Sequence, residues 1–141
     1  DPDRCAAAAL FHDASEILTG DLPTPIKYHN AEIMSAYHAV EDLAVQKLLG
    51  MLPPELRETY ADVLAEDKDG DIYPLVKAAD KLSAYIKCIE ERKAGNNEFL
   101  SAEAQTRAAL EASPLPEVQY FLEHFIPAFE RDLDELGAIG Q

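Results

Sequence analysis

The sequence predicts an all-α protein. Hydrophobic residues recur at helical spacing along most of the 141 residues, and no stretch alternates apolar and polar residues long enough to indicate a strand. Proline and glycine separate these helical segments. Forty-eight per cent of the chain is hydrophobic, which suffices for a core, and the length suits one compact domain. We therefore expect a single helical domain over residues 1–141.

The first helix is predicted to begin at Pro2 and to end at Gly20. Asp1 can cap it, proline is tolerated at a first helical position, and glycine is a natural C-terminal stop. Its predicted apolar stripe comprises Leu10, Ala14 and Ile17. Pro23 and Pro25 keep the following stretch out of a helix.

A second helix is predicted from Ala31 to about Leu52. Its apolar stripe comprises Ile33, Tyr37, Val40, Ala44 and Leu48. Pro53 and Pro54 either break this helix or start a short one through Leu56–Leu64. The acidic segment Glu66–Asp71, which contains a glycine, is predicted to be a loop.

A third strong helix is predicted from about Pro74 to Ala94, ended by Gly95–Asn97, and a further helix covers Ser101–Ala112. The third helix has a predicted stripe of Leu75, Ala79, Leu82, Ile86 and Ile89. One last helix follows Pro116, with Pro127 expected to kink it. Its apolar residues, among which the three phenylalanines are expected in the core or in a dimer interface, are Val118, Phe121, Leu122, Phe125, Phe129 and Leu133.

Charge and composition disfavour several classes of partner. The net charge of −15 repels nucleic-acid backbones and anionic membrane surfaces, so we expect neither a nucleic-acid polymer nor a membrane as partner. No apolar run is long enough to span a bilayer, and no signal-peptide pattern opens the sequence. The two cysteines, Cys5 and Cys88, are far apart, which fits a reducing compartment. A small anionic substrate remains possible where a metal or a basic group neutralises it.

A cluster of ionisable residues lies within the apolar first helix. His12 and Glu16 are four residues apart and Asp13 and Glu16 are three apart, so a helix places Glu16 beside both. Buried charge is costly unless it is paired or bound to a metal. Imidazole nitrogen and carboxylate oxygen are suitable ligands for a transition metal, so a divalent cation would remove this cost.

The alternative is an ordinary, partly exposed histidine paired by chance with Asp13, because His-Asp dipeptides are common. Two features favour a site. The first is the rigid polar segment Thr19–Pro25 directly beyond the cluster. The second is Asp80, beside the apolar stripe of a later helix. On spacing alone, Asp80 is equally consistent with a solvated residue paired with Lys77 or Lys81.

Three segments together resemble the HD-domain phosphohydrolases, and among them the bacterial 5′-deoxyribonucleotidases of the YfbR type. They are HDASEILTGDLPTP at His12–Pro25, LVKAADKLSAYIKCIEE at Leu75–Glu91 and GNNEFL at Gly95–Leu100. The similarity covers nearly the whole chain. It implies an all-helical, homodimeric and cytoplasmic enzyme that uses a divalent metal such as cobalt or manganese. The implied substrate is a deoxyribonucleoside 5′-monophosphate, which loses its 5′-phosphate.

The same resemblance implies roles for individual residues. His12 and Asp13 match the His-Asp pair that names the family, and Asp80 matches its later metal-binding aspartate. These three are the expected metal ligands. Glu16 matches a catalytic acidic residue. The expected substrate contacts are Asp13, Asp21, Leu22, Pro23, Thr24 and Asp80.

The family pattern also contains an earlier histidine on an upstream helix and an Arg-Trp pair near its start. This sequence has no tryptophan, and its first residue is Asp1. We therefore expect an HD-domain helical bundle that is incomplete at its N-terminus in this chain, and a poor enzyme without the upstream helix. Two alternatives to the deoxynucleotidase stay open: a non-catalytic HD-like module for dimerisation or regulation, and an HD hydrolase of another phosphorylated nucleotide.

Overall fold

The computed structural model describes residues 1–27, 29–65 and 70–137. These residues form helices, turns and irregular connections without a strand, which confirms the all-α prediction. The helices are α1 (Pro2–Phe11), α2 (Glu16–Thr19), α3 (Thr24–Lys27), α4 (Ala31–Met51), α5 (Pro54–Leu64), α6 (Tyr73–Lys93), α7 (Leu100–Glu111), α8 (Pro116–His124), α9 (Ile126–Glu130) and α10 (Leu133–Gly137). No helix in these ranges has both the length and the apolar character needed to cross a membrane.

The predicted second helix is confirmed as α4. It begins after Asn30, whose side-chain oxygen accepts a hydrogen bond from the Ile33 N–H at 2.8 Å and so satisfies an otherwise open donor. The two prolines that follow mark the end of α4 and also the start of a short helix, because α5 has Pro54 at its first position. The predicted loop over Glu66–Asp71 falls mostly on residues 66–69, which lie outside the described residues.

The predicted third helix is confirmed as α6, and its end is fixed by a glycine. Gly95 has a φ of +87°, a left-handed conformation that side chains disfavour. The Gly95 N–H donates to the Arg92 carbonyl at 3.0 Å, and the Asn96 N–H donates to the Glu91 carbonyl at 2.9 Å. This pair of bonds is a Schellman motif, which satisfies carbonyls that the helix end leaves open.

The first helix is shorter than predicted. The sequence predicts one helix from Pro2 to Gly20, but α1 ends at Phe11 and α2 begins only at Glu16. Between them the Ala14 N–H donates to the carbonyl of Phe11 at 2.9 Å, a bond that spans three residues and tightens the chain into a turn. The spacing of apolar residues does not predict this break, because the break depends on backbone hydrogen bonding.

The last helix is broken and not merely kinked. α8 ends at His124 and α9 begins at Ile126, with Phe125 between them. Pro127 has no N–H to donate to the carbonyl four residues back, at Glu123, so a continuous helix lacks a bond at this point. A further helix, α10, follows after another interruption.

The chain divides into two compact units, Asp1–Val76 and Lys77–Gln141, which we describe separately. In the first unit α2, α3 and α5 contact α4, and α1 contacts α5. In the second unit a hydrophobic core joins α6, α7, α8 and α9 through Leu82, Tyr85, Ile89, Leu110, Val118 and Ile126. The single domain over residues 1–141 therefore stays a prediction.

The predicted stripe of the first helix is largely exposed. Leu10 and Ile17 are 78% and 77% exposed, although their spacing predicts a buried face. The break after Phe11 contributes to this, because residues on either side of a turn no longer share one helical face.

Candidate active site

The imidazole of His12 is held at the C-terminal end of α1. Its Nδ1 donates to the Ala9 carbonyl at 2.7 Å. A carbonyl oxygen only accepts, so this bond requires a proton on Nδ1. In metal proteins the ligating histidine is commonly fixed in this manner, with one nitrogen bonded to a carbonyl and the other directed at the ion.

His12 and Asp13 direct two potential ligand atoms at each other. The Nε2 atom of His12 is buried and lies 3.1 Å from Oδ2 of Asp13. Two electron-pair donors at this distance repel unless a proton or a cation lies between them. One imidazole nitrogen and one carboxylate oxygen form a donor set suited to divalent transition metals such as manganese or cobalt. The two residues therefore fit the metal that the sequence predicts.

Glu16 lies at the start of α2 and is half-buried. Its N–H donates to the Asp13 carbonyl at 2.9 Å, which brings the two residues together across a tight turn. Burial raises the pKa of Glu16 above its ordinary value, and the negative charges of Asp13 and Asp21 add to the rise. Lys27 opposes this rise in pKa, and Glu41 adds to it. A carboxyl group with a raised pKa is suited to exchanging protons near neutral pH.

The predicted substrate loop begins directly after α2. Gly20 has a φ of +73° and redirects the chain, and its N–H donates to the Glu16 carbonyl at 2.9 Å. Asp21 is exposed, Leu22 is half-buried and Pro23 is exposed. Thr24 begins α3, and its side chain lies outside the described structure. The loop therefore begins close to Glu16, and the charge of its first residue, Asp21, acts on the Glu16 carboxyl group.

Three residues that the sequence did not single out for the site surround this loop. Lys27 Nζ lies 2.8 Å from Oε1 of Glu41 and 4.6 Å from the centre of the Tyr37 ring. The Tyr37 hydroxyl donates to the Gly20 carbonyl at 3.0 Å. Tyr37 and Glu41 are four residues apart on α4, a spacing that puts them on one face. The sequence shows this spacing, but it does not show that Tyr37 contacts Gly20 or that Glu41 contacts Lys27.

The third predicted ligand, Asp80, lies on α6 in the second unit and is exposed. No group of three or more His, Cys, Asp or Glu side chains suited to hold a metal ion occurs within residues 1–27, 29–65 and 70–137. The structure thus brings His12 and Asp13 together, and the three-residue set with Asp80 stays a prediction.

Comparison with known proteins agrees with the motifs. A family model described as 5′-deoxynucleotidase YfbR-like matches residues 1–129. A protein of Shigella flexneri named 5′-deoxynucleotidase YfbR is 52% identical over 136 residues, which make up 96% of this chain and 68% of the relative. A protein of the same name from Escherichia coli K12 is 51% identical over 136 residues, again 96% of this chain and 68% of the relative. The family that the sequence resembles is thereby confirmed, and this chain belongs to the YfbR-like 5′-deoxynucleotidases.

Proposed function

We propose that this chain belongs to a metal-dependent phosphomonoester hydrolase that removes the 5′-phosphate from deoxyribonucleoside 5′-monophosphates. The observation that carries the proposal is the His12–Asp13 pair, with ligand atoms 3.1 Å apart and a carboxyl group of raised pKa, Glu16, at the next turn. Relatives named 5′-deoxynucleotidase support the substrate class.

The chemical difficulty of this reaction is electrostatic. A phosphomonoester carries negative charge that repels an attacking nucleophile, and the net charge of −15 on this chain adds to that repulsion. A divalent metal, when bound, neutralises phosphate charge and lowers the pKa of water. His12, Asp13 and Asp80 would hold it. The Ala9 carbonyl keeps His12 in the tautomer that such binding requires.

Glu16 would handle the proton. As a carboxylate it can take a proton from the attacking water, and as a carboxylic acid it can give one to the 5′-oxygen that leaves with the deoxyribose. Its half-buried position and raised pKa make both forms accessible closer to neutral pH than for an ordinary glutamate. Either role would fall to Glu16, which lies three positions beyond Asp13.

The loop Asp21–Thr24 would bind the sugar. It offers a carboxylate, a hydroxyl and backbone groups, which suit hydrogen bonds to a deoxyribose. Asp13 and Asp80 would also contact the substrate. No set of side chains in the sequence indicates recognition of one base, so we expect the enzyme to accept deoxynucleotides with different bases.

The test is phosphate release from deoxyadenosine monophosphate in the presence of cobalt or manganese, measured for this chain and for the chain with the family's upstream helix added. With that helix we expect release that requires the metal and that His12→Gln and Glu16→Gln each reduce about 10²-fold or more. His124→Gln is a matched control, because His124 is exposed and lies on α8 in the second unit. Adenosine monophosphate and a deoxynucleoside 3′-monophosphate test the substrate class.

Each outcome decides between the alternatives. Release from deoxyadenosine monophosphate that only the site variants lose supports the deoxynucleotidase. Release only from another phosphorylated nucleotide supports an HD hydrolase of different specificity. No release from any of these substrates, with or without metal and also after the family's upstream helix is added, supports a non-catalytic module. Glu16 favours an enzyme, because a carboxyl group of raised pKa costs stability that a scaffold has no reason to lose.

We also infer a cytoplasmic homodimer, as the family resemblance implies. In the second unit Tyr120, Phe125 and Phe129 are 60%, 49% and 37% exposed, which supports an interface built on apolar residues. Light scattering of the purified chain tests the dimer, since a monomeric mass at micromolar concentration contradicts it.

A further inference from the structure

Both ends of the predicted substrate loop are attached to one helix. At its start, the Tyr37 hydroxyl donates to the Gly20 carbonyl at 3.0 Å. At the end of α3, which follows the loop, Lys27 Nζ lies 2.8 Å from Oε1 of Glu41. Tyr37 and Glu41 lie four residues apart on α4, so two neighbouring side chains of one helix hold both ends of the segment.

The two attachments share Lys27. Its ammonium lies 4.6 Å from the centre of the Tyr37 ring, within the range of a cation–π interaction. The side chains of Lys27 and Glu41 are only 19% and 20% exposed, so solvent screens their attraction less than it screens a surface ion pair. The hydroxyl of Tyr37 thus binds one end of the segment, and its ring supports the ion pair at the other end.

We propose that Lys27, Tyr37 and Glu41 form a clamp, here called the α4 clamp, that positions the loop Asp21–Thr24 for the deoxyribose. This inference rests on the proposed function, because it assigns the three residues to the binding of that substrate. They act as positioning residues. Glu41 and Lys27 hold α3, and Tyr37 holds the carbonyl from which the loop departs.

The clamp acts where the backbone has most freedom. Gly20 adopts a φ of +73°, and glycine is the residue with the widest choice of backbone angles. Pro23 and Pro25 restrict the rest of the segment, because their rings fix φ. Holding the carbonyl of Gly20 therefore orders the start of the loop before substrate arrives, and a preordered loop loses less entropy on binding.

Steady-state kinetics with deoxyadenosine monophosphate test the clamp. Tyr37→Phe keeps the ring beside Lys27 and removes only the hydroxyl, so every charge stays in place. Glu41→Gln keeps an acceptor and removes the charge. For each we expect KM to rise about tenfold and kcat to change less than about threefold, since the loop contributes binding and not proton transfer.

A double variant tests whether Lys27 and Glu41 act as one unit. If they do, Lys27→Gln combined with Glu41→Gln raises KM about as much as either single change, because each single change already destroys the pair. Asp42→Asn and Tyr120→Phe are the matched controls, the first on α4 and the second in the other unit, and both residues are exposed. We expect both controls to keep the KM of the wild type.

Amide hydrogen exchange without substrate provides a second measurement that does not depend on activity. In Tyr37→Phe and Glu41→Gln we expect exchange to accelerate in residues 20–27 and to stay unchanged in α4. Unchanged exchange in residues 20–27 overturns the clamp, as does acceleration spread over the whole chain. The proposed function is overturned if the wild type releases no phosphate even after the family's upstream helix is added, and exchange then still decides the clamp. An active wild type whose clamp variants keep its KM overturns the clamp alone.

Discussion

Nδ1 of His12 donates to the carbonyl of Ala9 at 2.7 Å, and this bond has two consequences. An uninterrupted helix would offer that carbonyl to the N–H of Asp13, so the imidazole occupies the acceptor at the point where α1 ends. The bond also fixes the plane of the imidazole, whose Nε2 lies 3.1 Å from Oδ2 of Asp13. The same interaction therefore lies at the end of the helix and orients the histidine for the proposed metal.

The first prediction concerns metal affinity. Asp13→Asn should weaken binding of manganese at least tenfold, because an amide oxygen replaces the charged ligand atom that lies 3.1 Å from His12 Nε2. Isothermal titration calorimetry with manganese measures the affinity directly. Asp42→Asn makes the same change at an exposed position of α4 and should bind like the wild type. Equal affinity in the two variants would remove Asp13 from the metal site.

The second prediction concerns Glu16 and pH. Because its folded-state pKa is raised, the charged form destabilises the folded protein once pH exceeds the ordinary glutamate range, and this loss is absent at lower pH. Glu16→Gln should therefore unfold at higher urea concentration than the wild type at pH 7, and this advantage should shrink towards about pH 4. Turnover should fall about 10²–10⁴-fold.

Urea unfolding at several pH values and phosphate release measure the two effects in the same samples. Glu58→Gln on α5 is the control, since Glu58 is exposed and lies outside the candidate site. A variant that is less stable than the wild type at pH 7 contradicts the assigned direction of the pKa. A variant with full turnover removes Glu16 from proton transfer.

The third prediction contrasts two glycines. Gly95→Ala should destabilise the protein by about 1–2 kcal/mol, because its φ of +87° is unfavourable for a residue with a Cβ. Gly50→Ala should stabilise it by about 0.5–1 kcal/mol, because Gly50 lies inside α4 and an added Cβ meets nothing within 4 Å. Urea unfolding of both variants provides the test. If both changes raise, or both lower, the free energy of unfolding, the prediction for at least one glycine is wrong.

Helix positions followed from the sequence where proline, glycine and apolar spacing agree, as in α4 and α6. They did not follow where a side chain competes for a backbone group, and His12 is the example, because its bond to Ala9 leaves no trace in hydrophobic spacing. The predicted site residues His12, Asp13 and Glu16 lie together because they are close in sequence. Lys27 and Glu41 are fourteen residues apart across a loop, and only tertiary structure identifies such a pair.

The last prediction tests the core of the second unit. Leu110 and Leu100 lie on the same helix, α7, but they are 1% and 46% exposed. Leu110→Ala removes a side chain that packs in the cluster with Tyr85 and Val118, so it loses burial and leaves a cavity. We expect it to lower the free energy of unfolding by about 2–5 kcal/mol. Leu100→Ala should change it by less than about 1 kcal/mol, because the leucine already contacts water and alanine is a good helix former. Urea unfolding monitored by circular dichroism compares the two, and equal losses would show that α7 does not pack through Leu110.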